Sequence, residues 1–130
     1  MFTLQSIKEA HAKVKSGGDF PRYIQDLKKL GVVSYENYVT DGHTQYFGSD
    51  NFTITSNPKY IAMPIASVSS TVVLKRDLVV HQQGGTDYLT FCKQAADAGV
   101  EKWTVDAIAL TCTYYNKAGE TMLTESIPVP

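Results

Sequence analysis

The sequence lacks most of the features that announce a function. It holds only two cysteines, Cys92 and Cys112, with no C-x-x-C spacing and no neighbouring histidine, so neither a zinc site nor a redox pair is signalled. Without an export signal such a pair reads as two reduced thiols. Met1 to Lys15 carries charge from Lys8 onward and has no unbroken apolar stretch of the secretory kind. Later apolar segments are cut by Pro64 or by the run Lys75, Arg76, Asp77, well short of a bilayer span. Neither sign of charge is in excess: the net charge is -1 and the pI about 6.3, which gives no field to gather phosphates or anionic lipids. The basic pairs Lys13/Lys15, Lys28/Lys29 and Lys75/Arg76 read as solvated helix faces. Gly-rich phosphate loops, G-x-S-x-G elbows and paired carboxylates are also missing. The expectation is a soluble cytoplasmic protein, monomeric or homodimeric, with no metal, cofactor, nucleic-acid or membrane partner.

What is present is a core-forming composition. Hydrophobic residues make up 43% and charged ones 19%, with eight Tyr and five Phe, which is too apolar for a disordered chain. At 130 residues the chain fits one domain over 1–130, able to bury a core without staples.

Periodicity predicts the elements. Thr3 caps a helix carrying Leu4, Ile7, His11 and Val14 on one stripe and ending near Ser16, Gly17 and Gly18. A second helix starts at Asp19 or Phe20, admits Pro21 in its first turn and stops at Gly31. Alternation from Val32 to Thr40, with Val33, Tyr35, Asn37 and Val39 on one side, predicts a strand. Asp41-Gly42 reads as a type I′ turn, with positive φ at both residues, into a return strand from His43 to Phe47. A third strand spans Phe52 to Thr55 and ends at Asn57-Pro58; Tyr60 to Ile65 is expected to be extended. Helices from Ser70 to Gln83 and Asp87 to Ala98 follow, then strands at Lys102–Ala107, Leu110–Tyr115 and Thr121–Ile127.

The order of elements repeats. A shift of 68 residues lays Gly17–Phe47 over Gly85–Tyr115 without a gap, and five of the 31 pairs are identical, among them Gly31/Gly99 and Tyr46/Tyr114. Phe20 faces Tyr88, Tyr23 faces Phe91 and Tyr35 faces Trp103, so the matches fall on helix ends and aromatic positions. Repeats of about 2–68 and 69–130 are too short to fold alone. The expected fold is α+β: two pseudo-symmetric helix-helix-strand halves sharing one core, with a mostly antiparallel sheet packed against four helices.

Candidate chemistry is sparse. Cys92 takes the place of Ile24 and reads as a core side chain, while Cys112 takes that of Thr44. His11, His43 and His81 are too far apart for a helical ligand pair; His11 fits the core edge and His81 a helix C-terminus. Asp41 and His43 are the one local acid-base pair, replaced by Ala109 and Thr111 in the other half, although Asp is also a common turn residue. Tyr35, Tyr38, Tyr46 and Tyr114 are candidate ligand-binding aromatics, with core packing as the plainer account.

Three strings, Phe-Pro-x-Tyr-Ile-x-Asp-Leu-Lys-Lys-Leu-Gly-Val at 20–32, Asp-Gly-His-Thr-x-Tyr-Phe-Gly at 41–48 and Thr-Cys-Thr-Tyr-Tyr at 111–115, resemble the YbcV-like family of small bacterial and prophage proteins. That resemblance implies a domain of unknown function, sometimes labelled a phage envelope protein, and brings no catalytic or ligand residues. The leading expectation is a non-enzymatic accessory module for a small molecule or protein partner. An enzyme using Asp41 and His43, or a phage structural component, are the alternatives.

Overall fold

A computed structural model describes residues 2–15 and 17–130. Helix α1 spans Leu4–His11, where Thr3 Oγ1 accepts from the Ser6 N–H and Ser6 Oγ accepts from the Thr3 N–H, which together satisfy two end donors. It stops sooner than the stripe predicts. Ala12 is the C-cap and Lys13 and Val14 follow in tight turns, so the expected end near Ser16, Gly17 and Gly18 is too late; Ser16 itself lies outside the described residues. A short 3-10 turn at Gly17–Asp19 leads into α2, Phe20–Leu30, with Pro21 in its first turn and Gly31 closing it at φ +102°. Strands β1 (Ser34–Tyr38), β2 (Thr44–Phe47) and β3 (Thr53–Thr55) follow, then α3 (Thr71–Gln82), α4 (Tyr88–Asp97), β4 (Val100–Asp106), β5 (Thr111–Asn116) and β6 (Thr121–Ser126).

The strands form one antiparallel sheet in the order β3-β2-β1-β4-β5-β6, so the fold is α+β with the two hairpins meeting at the β1–β4 seam. At that seam Glu36 lies opposite Thr104, the residue 68 positions further on. The tilted pairs Tyr35–Tyr46 and Trp103–Tyr114 also correspond, with centroids 5.6 and 5.8 Å apart and planes at 47° and 49°.

One face of the sheet is covered by the helices and holds the core, built on Ile24, Leu27, Val39, Leu74, Val100 and Val105, none measurably exposed. Each such side chain contributes about 1.5–3 kcal/mol by leaving water. Its opposite face carries Glu36, Tyr38, Lys102, Thr104, Thr113 and Thr124 and is half-buried or exposed, as antiparallel sheets permit. No helix among the described residues is long and apolar enough to cross a membrane.

Two further expectations are corrected. Residues 39–43 do not form a type I′ turn: Gly42 has φ +76° but Asp41 is not in the left-handed region, and the Gly42 N–H donates to Tyr38 O across a wider loop. Residues 56–70 contain no strand, so the segment from Tyr60 to Ile65 is irregular; it folds over that loop instead.

Candidate functional site

The overlay of 59–63 on 39–43 is closely bonded. Lys59 and Tyr60 N–H groups donate to Asp41 O, the Met63 N–H to Thr40 O, and the Thr40 hydroxyl back to Met63 O. The Tyr60 hydroxyl donates to Val39 O at 2.5 Å. A Cβ on Gly42 would stand 2.7 Å from the Tyr60 ring, so only glycine fits under this cover. The loop is therefore packed rather than a convex tip.

Beneath it, on the helix-covered side, lies a polar cluster inside an otherwise apolar core. Asn37 points inward from β1 with 4% of its surface exposed. Its Oδ1 accepts from the Thr44 hydroxyl at 2.9 Å and from the Tyr88 hydroxyl at 3.1 Å, while Nδ2 has no partner. Turning the carboxamide over would let Nδ2 donate to both hydroxyls and leave the oxygen alone, so one end is unmatched either way. Gln94 Oε1 is the other buried unpartnered side-chain atom among the described residues.

Lys59, an exposed residue whose ammonium reaches the cluster from its rim, and the buried Cys92 complete it. The Lys59 ammonium donates to Gly42 O at 3.0 Å and to Thr44 Oγ1 at 3.4 Å. Burial lowers its pKa, against the opposing influence of Cys92 and Asp41. Cys92 is fully buried between the Tyr60 and Tyr88 hydroxyls; burial raises its thiol, outweighing those bonds and Lys59. Burial likewise raises both tyrosines well above their ordinary value. Both cysteines are reduced, and burial pushes Cys112 up to about 12, so neither is a ready nucleophile.

The acid-base pair lies on the other side of the sheet. His43 Nδ1 meets Asp41 Oδ1 at 2.5 Å, and the His43 N–H donates to the same oxygen at 3.0 Å. These bonds hold the Asp41 carboxyl below its usual range although desolvation pushes the other way. His43 is 29% exposed at its side chain and stacks on Tyr38 with centroids 4.5 Å apart. Beside Tyr38, Lys102 pairs with Glu36 at 2.9 Å and lies 5.8 and 5.6 Å from the Tyr38 and Tyr115 ring centres.

Of the residues singled out in the sequence, Asp41, His43 and Tyr38 are thus brought together on the open face. Tyr35, Tyr46 and Tyr114 are buried on the helix side as core. His11 is exposed, its ring edge against Tyr23, and His81 stacks on Phe91 at the end of α3. Sequence reasoning passed over Asn37, Thr44, Lys59, Tyr60 and Tyr88. The available signal was Asn37, an amide between Tyr35 and Val39 on an inward-facing alternation. No group of three or more His, Cys, Asp or Glu able to hold a metal occurs among the described residues. Two open surface depressions, one lined by Arg22, Gln25 and Val129 and the other by Ser6, Lys13 and Asp26, lie away from the cluster.

A search of curated proteins finds no match. Residues 8–126 match the model of a family described as a protein of unknown function, DUF1398, and the chain belongs to that family.

Proposed function

We propose that this protein is a non-enzymatic binding module for a small molecule, held among Asn37, Thr44, Lys59, Tyr60 and Tyr88. One observation carries the reading: a carboxamide 4% exposed with an end left unmatched. Such a group costs about 1–3 kcal/mol that a purely structural site avoids. The fold does not require it. The positions 68 residues away from Asn37, Thr44, Cys92 and Tyr88 hold Val105, Cys112, Ile24 and Phe20, and all four are buried or packed against the core. Tyr88 is the way in, since its residue is 39% exposed while its hydroxyl reaches Asn37. The test is thermal unfolding of the full chain against a broad metabolite panel. A compound that raises the Tm of the native protein but not of Asn37→Val supports the reading. A panel without effect on the native protein removes it.

A second reading is enzymatic and rests on the Asp41–His43 contact, which orients the ring and leaves Nε2 without a protein partner among the described residues. No nucleophile or pair of oxyanion donors adjoins it, so it ranks lower. Loss of a measured turnover in His43→Gln, with unfolding unchanged, would reverse that order. We further read the halves as copies of one ancestral unit, supported by Glu36 and Thr104 meeting at the seam. The YbcV-like and prophage resemblance and a cytoplasmic location belong with these proposals. A phage structural role would require regular assemblies on sizing, where a discrete monomer or dimer speaks against it.

A further inference from the structure

Lys59 narrows what the ligand is. Its ammonium turns inward onto two neutral oxygens, Gly42 O and Thr44 Oγ1. No carboxylate lies within ion-pair distance of it among the described residues. Asp41, the acid with the nearest influence on it, has its Oδ1 engaged by His43. Lys102 on the open face, by contrast, pairs with Glu36. Lys59 is exposed as a residue, so its charge is reachable from solvent while its donors engage only neutral acceptors. Across the same Thr44 hydroxyl sits Asn37, whose carboxamide still has hydrogen-bonding capacity.

Taking the cluster as the ligand site, we infer that Lys59 and Asn37 together bind the carboxylate of a small organic acid. Lys59 supplies the charge and Asn37, through Nδ2, a directed hydrogen bond. One lysine, with no arginine in the cluster, matches one negative charge better than a phosphate dianion, which recurrently draws arginine forks or glycine-rich loops. Tyr60 and Tyr88 already commit their hydroxyls as donors to Val39 O and Asn37 Oδ1, so what they offer the organic part is ring surface.

The test compares acids with their matched amides at millimolar concentration and equal ionic strength: acetate with acetamide, benzoate with benzamide, succinate with succinamide. The native protein is expected to gain Tm with at least one acid and not with its amide. Lys59→Met should lose that gain, corresponding to a drop in affinity of about tenfold or more, and Lys59→Arg should keep part of it. Unliganded Lys59→Met should melt within about a degree of the native protein, because it removes only two bonds from an exposed residue to neutral oxygens. An unliganded Lys59→Met that melts clearly lower makes the lysine structural and overturns the inference. An amide that stabilises as well as its acid, with the gain kept in Lys59→Met and lost in Asn37→Val, overturns the carboxylate assignment but leaves the ligand site standing. No response to any of these acids overturns the assignment as well, whereas the binding reading falls only if the broad panel is also silent.

Discussion

The two sides of the β1–β4 seam invite comparison, because each is an antiparallel hairpin with one face buried and their buried faces differ in polarity. Val105 and Cys112 on β4 and β5 belong to the apolar core, as does Ile24 of α2, with Phe20 packed against it. Over β1 and β2, the residues 68 positions away are Asn37, Thr44, Tyr88 and Cys92, linked by hydrogen bonds and capped by Lys59 and Tyr60. Stability alone favours the first arrangement, since apolar burial needs no partners and buried polar groups need all of theirs. The loops teach the same lesson. Gly42 takes φ +76° under a ring, and Leu110, 68 residues on, takes φ +58° where nothing of that kind requires a glycine.

Exchanging the interiors is the strongest way to break the comparison. Val105→Asn would bury an amide in a site without partners and is expected to cost about 3 kcal/mol, read from urea unfolding. The reverse exchange, Asn37→Val with Thr44→Cys, should fall within about 1 kcal/mol of the native protein or improve on it. A large loss there would mean that the polar cluster is structural.

Gly42→Ala is expected to cost about 2 kcal/mol, from the left-handed backbone and the clash with the Tyr60 ring. Leu110→Gly should change stability by no more than about 1 kcal/mol, because relief of its φ is offset by lost side-chain packing. Similar losses at the two positions would remove the contrast between the loops.

Tyr88→Phe should cost about 1 kcal/mol by deleting the bond to Asn37. Tyr88 is also the exposed wall of the cluster, so a ligand found in the screen should bind this variant with altered kinetics.

The smallest effect concerns the open face. Burial pushes the Glu36 carboxyl up, but its bonds from Lys102 and Tyr38 outweigh this and hold it below its usual range. A depressed folded pKa contributes stability above the ordinary carboxylate range, which is lost as pH falls through the lowered value. The difference in urea midpoint between the native protein and Glu36→Gln should therefore shrink as pH falls below about 4. An unchanged difference would show that the Lys102 pair does not stabilise the fold.

Much of the architecture was legible because it is local. Thr3, Pro21 and Gly31 mark helix ends through backbone donors and dihedrals that near neighbours satisfy, and Tyr35, Val39 and Tyr46 alternate into the core as their strands demand. Errors arose where distant chain intervened. Asp41-Gly42 carries a two-residue turn signature, but Lys59, Tyr60 and Met63 bond to residues 39–41 and hold a wider loop. Helix α1 ended early because tight turns take over after Ala12.

The candidate site divides in the same way. Asp41 and His43 are two residues apart, so their contact follows from short-range geometry. Asn37, Lys59 and Tyr88 are spread over 51 residues, on a strand, an irregular segment and a helix. The sequence by itself determined the α+β class, the order of helices and strands and the inward-facing strand positions, because hydrophobic period and capping chemistry act over a few residues. Only the tertiary structure decided that Asn37 keeps an unmatched amide end and that Lys59 turns inward without a counter-charge. Those properties depend on which groups from distant segments arrive, and which do not, once water has been excluded.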